Sequence, residues 1–98
     1  MTSSSPTLFQ PGVVVATFAA LRVLFRAGLS PTDVLTRHTS GDWGDICPED
    51  QRANNEALAK GGRILSSFEV QVHGETTTLW LITEHDHSST TILLPAEY

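Results

Sequence analysis

The apolar residues in the first third of the chain follow two different rhythms. Val13, Val14 and Val15 form a β-branched run behind Pro11-Gly12, so "GVVVAT" over 12–17 predicts a short strand. Phe18, Leu21, Leu24 and Phe25 then recur at helical spacing. Thr17 is placed to cap that segment and Gly28 to stop it, which predicts a core helix with one apolar stripe. "SPTD" (30–33) sets Ser30 at an N-cap, Pro31 at the first helical position and Asp33 near the positive helix end. The second helix should carry Val34 and Leu35 inward and end near His38. Pro48 followed by Glu49 and Asp50 opens a third helix, with Ala53, Ala57 and Leu58 on its buried side and Lys60-Gly61-Gly62 as its stop.

After Arg63 the period drops to two. Ile64, Ser66, Phe68, Val70 and Val72 share one face while Ser67, Glu69 and Gln71 take the other, the pattern of an antiparallel strand with one solvated side. "TTTLWLITE" and "STTILLP" predict two more strands, separated by the turn-like "HGE" and "HDHSS". Both faces of "LWLI" are apolar, which places that strand in the middle of the sheet. The expected fold is α+β: an N-terminal strand, two to three helices, then a three-stranded antiparallel meander with the helices on one sheet face. Residues 1–10 are expected to be a flexible segment and 11–98 a single domain.

Composition narrows the function classes. The chain has 98 residues and is 40% hydrophobic, enough for one core and too short for two domains. Six Lys and Arg against 11 acids give a net charge of −5, which opposes broad nucleic-acid binding and suits a protein partner with a basic surface. The apolar run from Val13 to Leu29 is interrupted by Thr17, Arg22 and Arg26, so neither a signal peptide nor a membrane span is expected. A single cysteine, Cys47, excludes an internal disulfide and fits a cytoplasmic protein, with the thiol read as a packing or capping residue.

Three groups of residues could carry chemistry. "EHDH" (84–87), with His73 in the neighbouring turn, offers imidazoles and carboxylates for a metal, but a site needs at least three ligands to converge. His38, Asp42, Asp45, Glu84 and Asp86 could share general acid and base roles in a small hydrolase or nuclease if a pocket gathers them. "HTSGDWGDI" (38–46) reads as a glycine-cornered connector. Gly41 and Gly44 supply its corners, Asp42 an Asx-turn, and Trp43 either a core plug or an interface anchor. No lysine follows these glycines as in a phosphate-binding loop. The element order also resembles in outline the small messenger-RNA interferase toxins, which present basic side chains to RNA. Here the few cations are scattered among more numerous acids.

The stretches "RHTSGDWGD", "EDQRANNEALAKGGRILS" and "LWLITEHDHSSTTILLPAEY" resemble a family of short uncharacterised bacterial proteins often found on plasmids and integrated elements. The likeness runs from about Gln10 to Tyr98. It implies a shared surface at Gly41, Asp42, Trp43, Gly44, Glu84, Asp86, Pro95, Glu97 and Tyr98. It also implies arginine at the place of His87 and variable residues at His85, which argues against a metal there. A mobile-element setting implies a counter-defence factor, of anti-restriction or anti-CRISPR type, or a regulator of the element. The resulting expectation is a non-enzymatic, cofactor-free interaction module that contacts a host or element protein through Asp42, Trp43, Asp45, Glu84, Asp86, Glu97 and Tyr98, with a homodimer as a further option. A small hydrolase or nuclease using His38, Asp42, Glu84 and Asp86, with or without a metal, is the alternative.

Overall fold

The N-terminal strand β1 (Val13–Ala16) does not stand apart from the C-terminal strands. In the computed structural model, which describes residues 7–98, it lies parallel to the last of them. Three helices follow it, α1 (Phe18–Ala27), α2 (Pro31–Thr39) and α3 (Pro48–Lys60), then β2 (Ile64–Val72), β3 (Glu75–Thr83), β4 (Ser89–Leu93) and a closing 3-10 turn at Pro95–Glu97. The fold is α+β. β2, β3 and β4 pair antiparallel, but the sheet is mixed and four-stranded, in the order β1-β4-β3-β2, rather than a three-stranded meander. β3 is interior, and "LWLI" is apolar on both sides because Leu79 and Leu81 face the helices while Trp80 and Ile82 face away. No helix among the described residues is long and apolar enough to cross a membrane.

The helix ends follow local chemistry. The Thr17 hydroxyl accepts from the Ala20 amide, and Gly28 takes the left-handed conformation that closes α1 at φ 75°. Ser30 and Asp33 form a reciprocal capping box on α2, with Pro31 in its first turn. At α3, Cys47 occupies the N-cap position, is exposed and makes no capping hydrogen bond, so it neither packs nor caps.

One apolar cluster joins Ala20, Leu24 and Val34 to Phe68, Val70, Leu79, Leu81 and Ile92. A second contains Phe9, Trp43, Ala57 and Ile64, with Ile46 and Leu58 against it. Phe9 is buried, and the neighbouring Leu8 amide donates to the Thr39 carbonyl at 2.8 Å, so both residues pack against the fold ahead of β1. Residues 1–6 of the segment expected to be flexible lie outside the described residues. On α3 the buried side is Asn54 and Ala57, with Leu58 half-buried and Ala53 exposed.

The two sheet edges are treated differently. On β2, the Asn54 carboxamide donates to the Leu65 carbonyl at 2.8 Å and accepts from the Leu65 amide at 3.0 Å, standing in for a neighbouring strand. Two residues on, the Ser67 amide donates to the Trp43 carbonyl and the Ser67 carbonyl accepts from the Asp45 amide. Half of this edge is therefore closed to another strand. β1 has no such cover, and Val13, Val14 and Val15 are all exposed. Asn54→Ala should strip both Leu65 groups of their partners and destabilise the fold by about 1–3 kcal/mol in urea unfolding. A loss below about 0.5 kcal/mol, the level of an ordinary surface change, would show that water replaces the amide without cost.

Candidate functional site

His38, at the head of the histidine-acid loop, ends inside the protein. It is 0% exposed, and its two ring nitrogens face hydroxyls: Nδ1 meets Ser66 Oγ, and Nε2 lies 2.8 Å from Thr83 Oγ1. Thr83 Oγ1 is 2.7 Å from Thr90 Oγ1, which in turn donates to the Pro11 carbonyl at 2.8 Å. That carbonyl can only accept, so every proton in the chain has a fixed direction. Thr90 gives its hydrogen to Pro11, Thr83 gives its own to Thr90, and His38 Nε2–H donates to Thr83. Nδ1 is left to accept from Ser66. A neutral imidazole in one tautomer satisfies every member, and burial lowers the His38 pKa from 6.5 to about 4. A serine beside a histidine can be an activated nucleophile, but Ser66 is fully buried and the far ring nitrogen faces a threonine, not a carboxylate. The group is a polar brace joining α2, β2, β3, β4 and the entry to β1.

The loop that follows is an edge cover. Trp43 is only 5% exposed, packs in the second apolar cluster and donates Nε1–H to the His38 carbonyl at 3.1 Å. Of the two roles expected for it, this placement matches the core plug. Gly44, at φ 72°, lies against β2 so closely that a Cβ would collide with the Ser67 carbonyl and the Phe68 ring.

The acids expected to form a common surface are placed in separate turns and engaged there. The Asp42 carboxylate receives two hydrogen bonds from Arg37, at 2.7 and 3.2 Å, and one from the Gly44 amide. The Arg37 bonds hold its pKa below the usual range. Asp86 receives the Ser88 amide at 3.0 Å, and its pKa is lowered chiefly by Ser88. Glu97 accepts from the Leu94 amide at 2.9 Å and from the Thr17 hydroxyl at 2.7 Å, which ties the C-terminal turn to the cap of α1 and lowers its pKa in that order. Tyr98 is exposed, but its ring lies edge-on to Trp80 and its hydroxyl accepts from Arg63 at 2.6 Å. Asp45 and Glu84 are exposed, and their amides rather than their carboxylates make the local bonds, to Ser67 and Ser89.

His38, Asp42, Glu84 and Asp86 do not meet in one cleft. His38 is sealed in the core while Asp42 sits with Arg37 on the surface, and no group of three His, Cys, Asp or Glu among the described residues is arranged to hold a metal. His87, at φ 60°, donates from Nε2 to the Gly62 carbonyl at 3.2 Å, and its ring lies tilted against Phe9 with centroids 5.6 Å apart.

The surface that does stand out was expected to be core. Of the stripe Phe18, Leu21, Leu24 and Phe25, only Leu24 is buried. Phe18 is 81% exposed, Phe25 84%, and Leu21 is exposed as well. At 100° per residue these three side chains point roughly 130° away from Ala20, Leu24 and Ala27, which face the sheet. α1 is apolar on two faces, and the larger residues are in solvent. Arg22 and Arg26 flank the outer stripe on one side and line two hollows with it. One is a shallow groove of about 350 Å³ along Phe18, Leu21 and Phe25. The other, of about 680 Å³, lies between α1 and the β2–β3 hairpin, with Glu75 and Glu97 in its wall.

Comparison with models of known protein families, with curated proteins and with solved structures found no significant match to this chain.

Proposed function

We propose that the protein is a non-enzymatic interaction module whose contact surface is the outer face of α1 rather than the acidic turns. The observation that carries this reading is the apolar stripe Phe18, Leu21 and Phe25 standing in solvent on a well-capped helix. A phenyl ring of this exposure leaves on the order of 150 Å² of apolar surface to water, so the two rings account for about 300 Å² before Leu21 is added. A patch of that size is at the scale of the largest that soluble monomers expose, and such patches are often functional. β1, which leads into α1 through Thr17, is an edge strand whose three valines are exposed as well. The resemblance to proteins of plasmids and integrated elements adds that the partner would belong to a host defence complex or to the control of the element.

The test uses the exposed rings. A photo-crosslinking phenylalanine analogue at position 18 or 25, in the cell that makes the protein, should yield one predominant adduct, and the same group at the exposed Asn55 of α3 should not. Phe18→Ser and Phe25→Ser should abolish that adduct from the other position while shifting unfolding stability by no more than about 0.5 kcal/mol. An identical ladder of adducts at all three positions, or none, would remove α1 as the contact face.

A further inference from the structure

We infer that the occupant of the α1 face is an acidic amphipathic helix of another protein, an inference that rests on the interaction-module reading and specifies its partner. α1 carries two of the chain's six Lys and Arg and none of its 11 acids. Within the described residues the one salt bridge is Arg37 with Asp42, so neither Arg22 nor Arg26 is paired within 4 Å of a carboxylate. Glu75 and Glu97 share the larger hollow with the arginines, yet Glu97 is turned to Thr17 and the Leu94 amide. Two unpaired guanidinium groups one helical turn apart, beside an apolar stripe, are the complement of a helix with apolar residues at i, i+3 or i+4, and i+7 and carboxylates along one flank. Ten residues of α1 span about 15 Å, which matches roughly three turns of a partner.

A second copy of this chain does not supply those carboxylates through α1. Antiparallel pairing about a twofold axis gathers all four guanidinium groups on one side of the seam. Parallel pairing sets them against the Thr17 and Gly28 flank of the other helix, which contributes no acid of its own and where the Glu97 carboxylate is already engaged by the Thr17 hydroxyl and the Leu94 amide. Anionic bilayers and nucleic acids present charge over an extended surface and meet the whole acidic molecule, whereas one helix feels mainly the charges within about 8 Å, the Debye length at physiological salt. The groove along the apolar stripe is lined by Arg22 and Arg26 and by no carboxylate, although the net charge is −5 and Glu75 and Glu97 stand in the wall of the larger hollow.

The experiment is a selection on the full-length protein. A displayed library of single helices, randomised at the apolar and flanking positions, is panned on the wild type, and clones are kept if their binding disappears with Phe25→Ser. The expected result is Asp and Glu enriched on one flank, and affinity falling by about tenfold or more when those acids are changed to lysine. Panning on Arg22→Glu/Arg26→Glu should select basic flanks instead. Neutral or basic flanks on the wild type, or acidic flanks that survive the charge reversal, overturn the inference while leaving α1 as a contact face. Absence of any Phe25-dependent clone overturns it too, and the crosslinking at positions 18 and 25 then decides separately whether the module reading stands. Two further measurements assign the face to another occupant if positive: a dimer in analytical ultracentrifugation that Phe25→Ser dissolves, or sedimentation with phosphatidylserine–phosphatidylcholine vesicles that Phe25→Ser abolishes.

Discussion

Acidification from pH 7 to pH 4 is expected to remove about 3 kcal/mol of folding stability through His38 alone, since each pKa unit corresponds to 1.36 kcal/mol. The imidazole titrates at about 4 in the folded protein and near 6.5 when the chain is unfolded. Above pH 6.5 both states hold it neutral and it contributes no slope. Between 6.5 and 4 the unfolded chain takes up the proton and the folded protein does not, so stability falls as pH falls. About 2 kcal/mol of the loss should be complete by pH 5. Below pH 4 both states are protonated and the slope from His38 ends. The carboxylates of Asp42, Asp86 and Glu97, whose pKa values lie below their ordinary ones, begin to lose their contribution as pH falls into the usual carboxylate range, from about pH 5 downward. The window from about 6.5 to 5 therefore separates the histidine from these carboxylates. Urea unfolding across that window should show the slope in the wild type and a nearly flat profile in His38→Gln, which cannot charge. A flat wild-type profile would mean that the buried ring admits a proton without cost and that the hydroxyl relay can reverse.

Much of this fold is legible in the sequence because it is written in local signals. The caps at Thr17 and Ser30, the stop at Gly28 and the alternation from Ile64 to Val72 each depend on residues a few positions apart, and all appear where the pattern places them. The parallel join of β1 to β4 is not local. It pairs Val13 with Ser89 across most of the chain, and no turn residue announces it. The expected antiparallel meander was therefore one strand short of the sheet. α1 shows a different limit. Periodicity reports that Phe18, Leu21 and Phe25 share a face, but not which face meets the sheet. The decisive sign was the second, smaller-residue face at Ala20, Leu24 and Ala27, which lets the helix lie close to β2 and β4 and leaves the bulky stripe outside. Candidate site residues were obscured by the same gap between local and global information. Asp42-x-Gly44 and Asp86-x-Ser88 are turn-closing spacings, so acids that could have formed a surface are engaged by their own loops. His38 could not be told from a catalytic histidine, because the hydroxyls that enclose it come from β2, β3 and β4.

Replacing Trp43 by alanine should cost about 3–5 kcal/mol, a large share of the 5–15 kcal/mol that holds a domain of this kind together. Three losses add at this position. The indole is the largest member of the cluster with Phe9, Ala57 and Ile64, and its removal leaves a cavity. Its Nε1–H no longer satisfies the His38 carbonyl, leaving there only the long 3.4 Å bond from the Gly41 amide. Without the plate, the segment that covers β2 at Ser67 loses its hold, so amide hydrogens of Ser67 and Asp45 should exchange faster. Trp43→Phe keeps most of the volume without the donor and should cost about 1–2 kcal/mol, close to the hydrogen-bond share alone. The comparison separates the two roles open to this tryptophan. An interface anchor would leave the free protein's stability within about 0.5 kcal/mol in both variants and act only on partner binding. A core plug produces the graded loss, and any loss of partner in Trp43→Ala then follows from unfolding, unlike the loss expected from Phe18→Ser or Phe25→Ser on a fully folded chain.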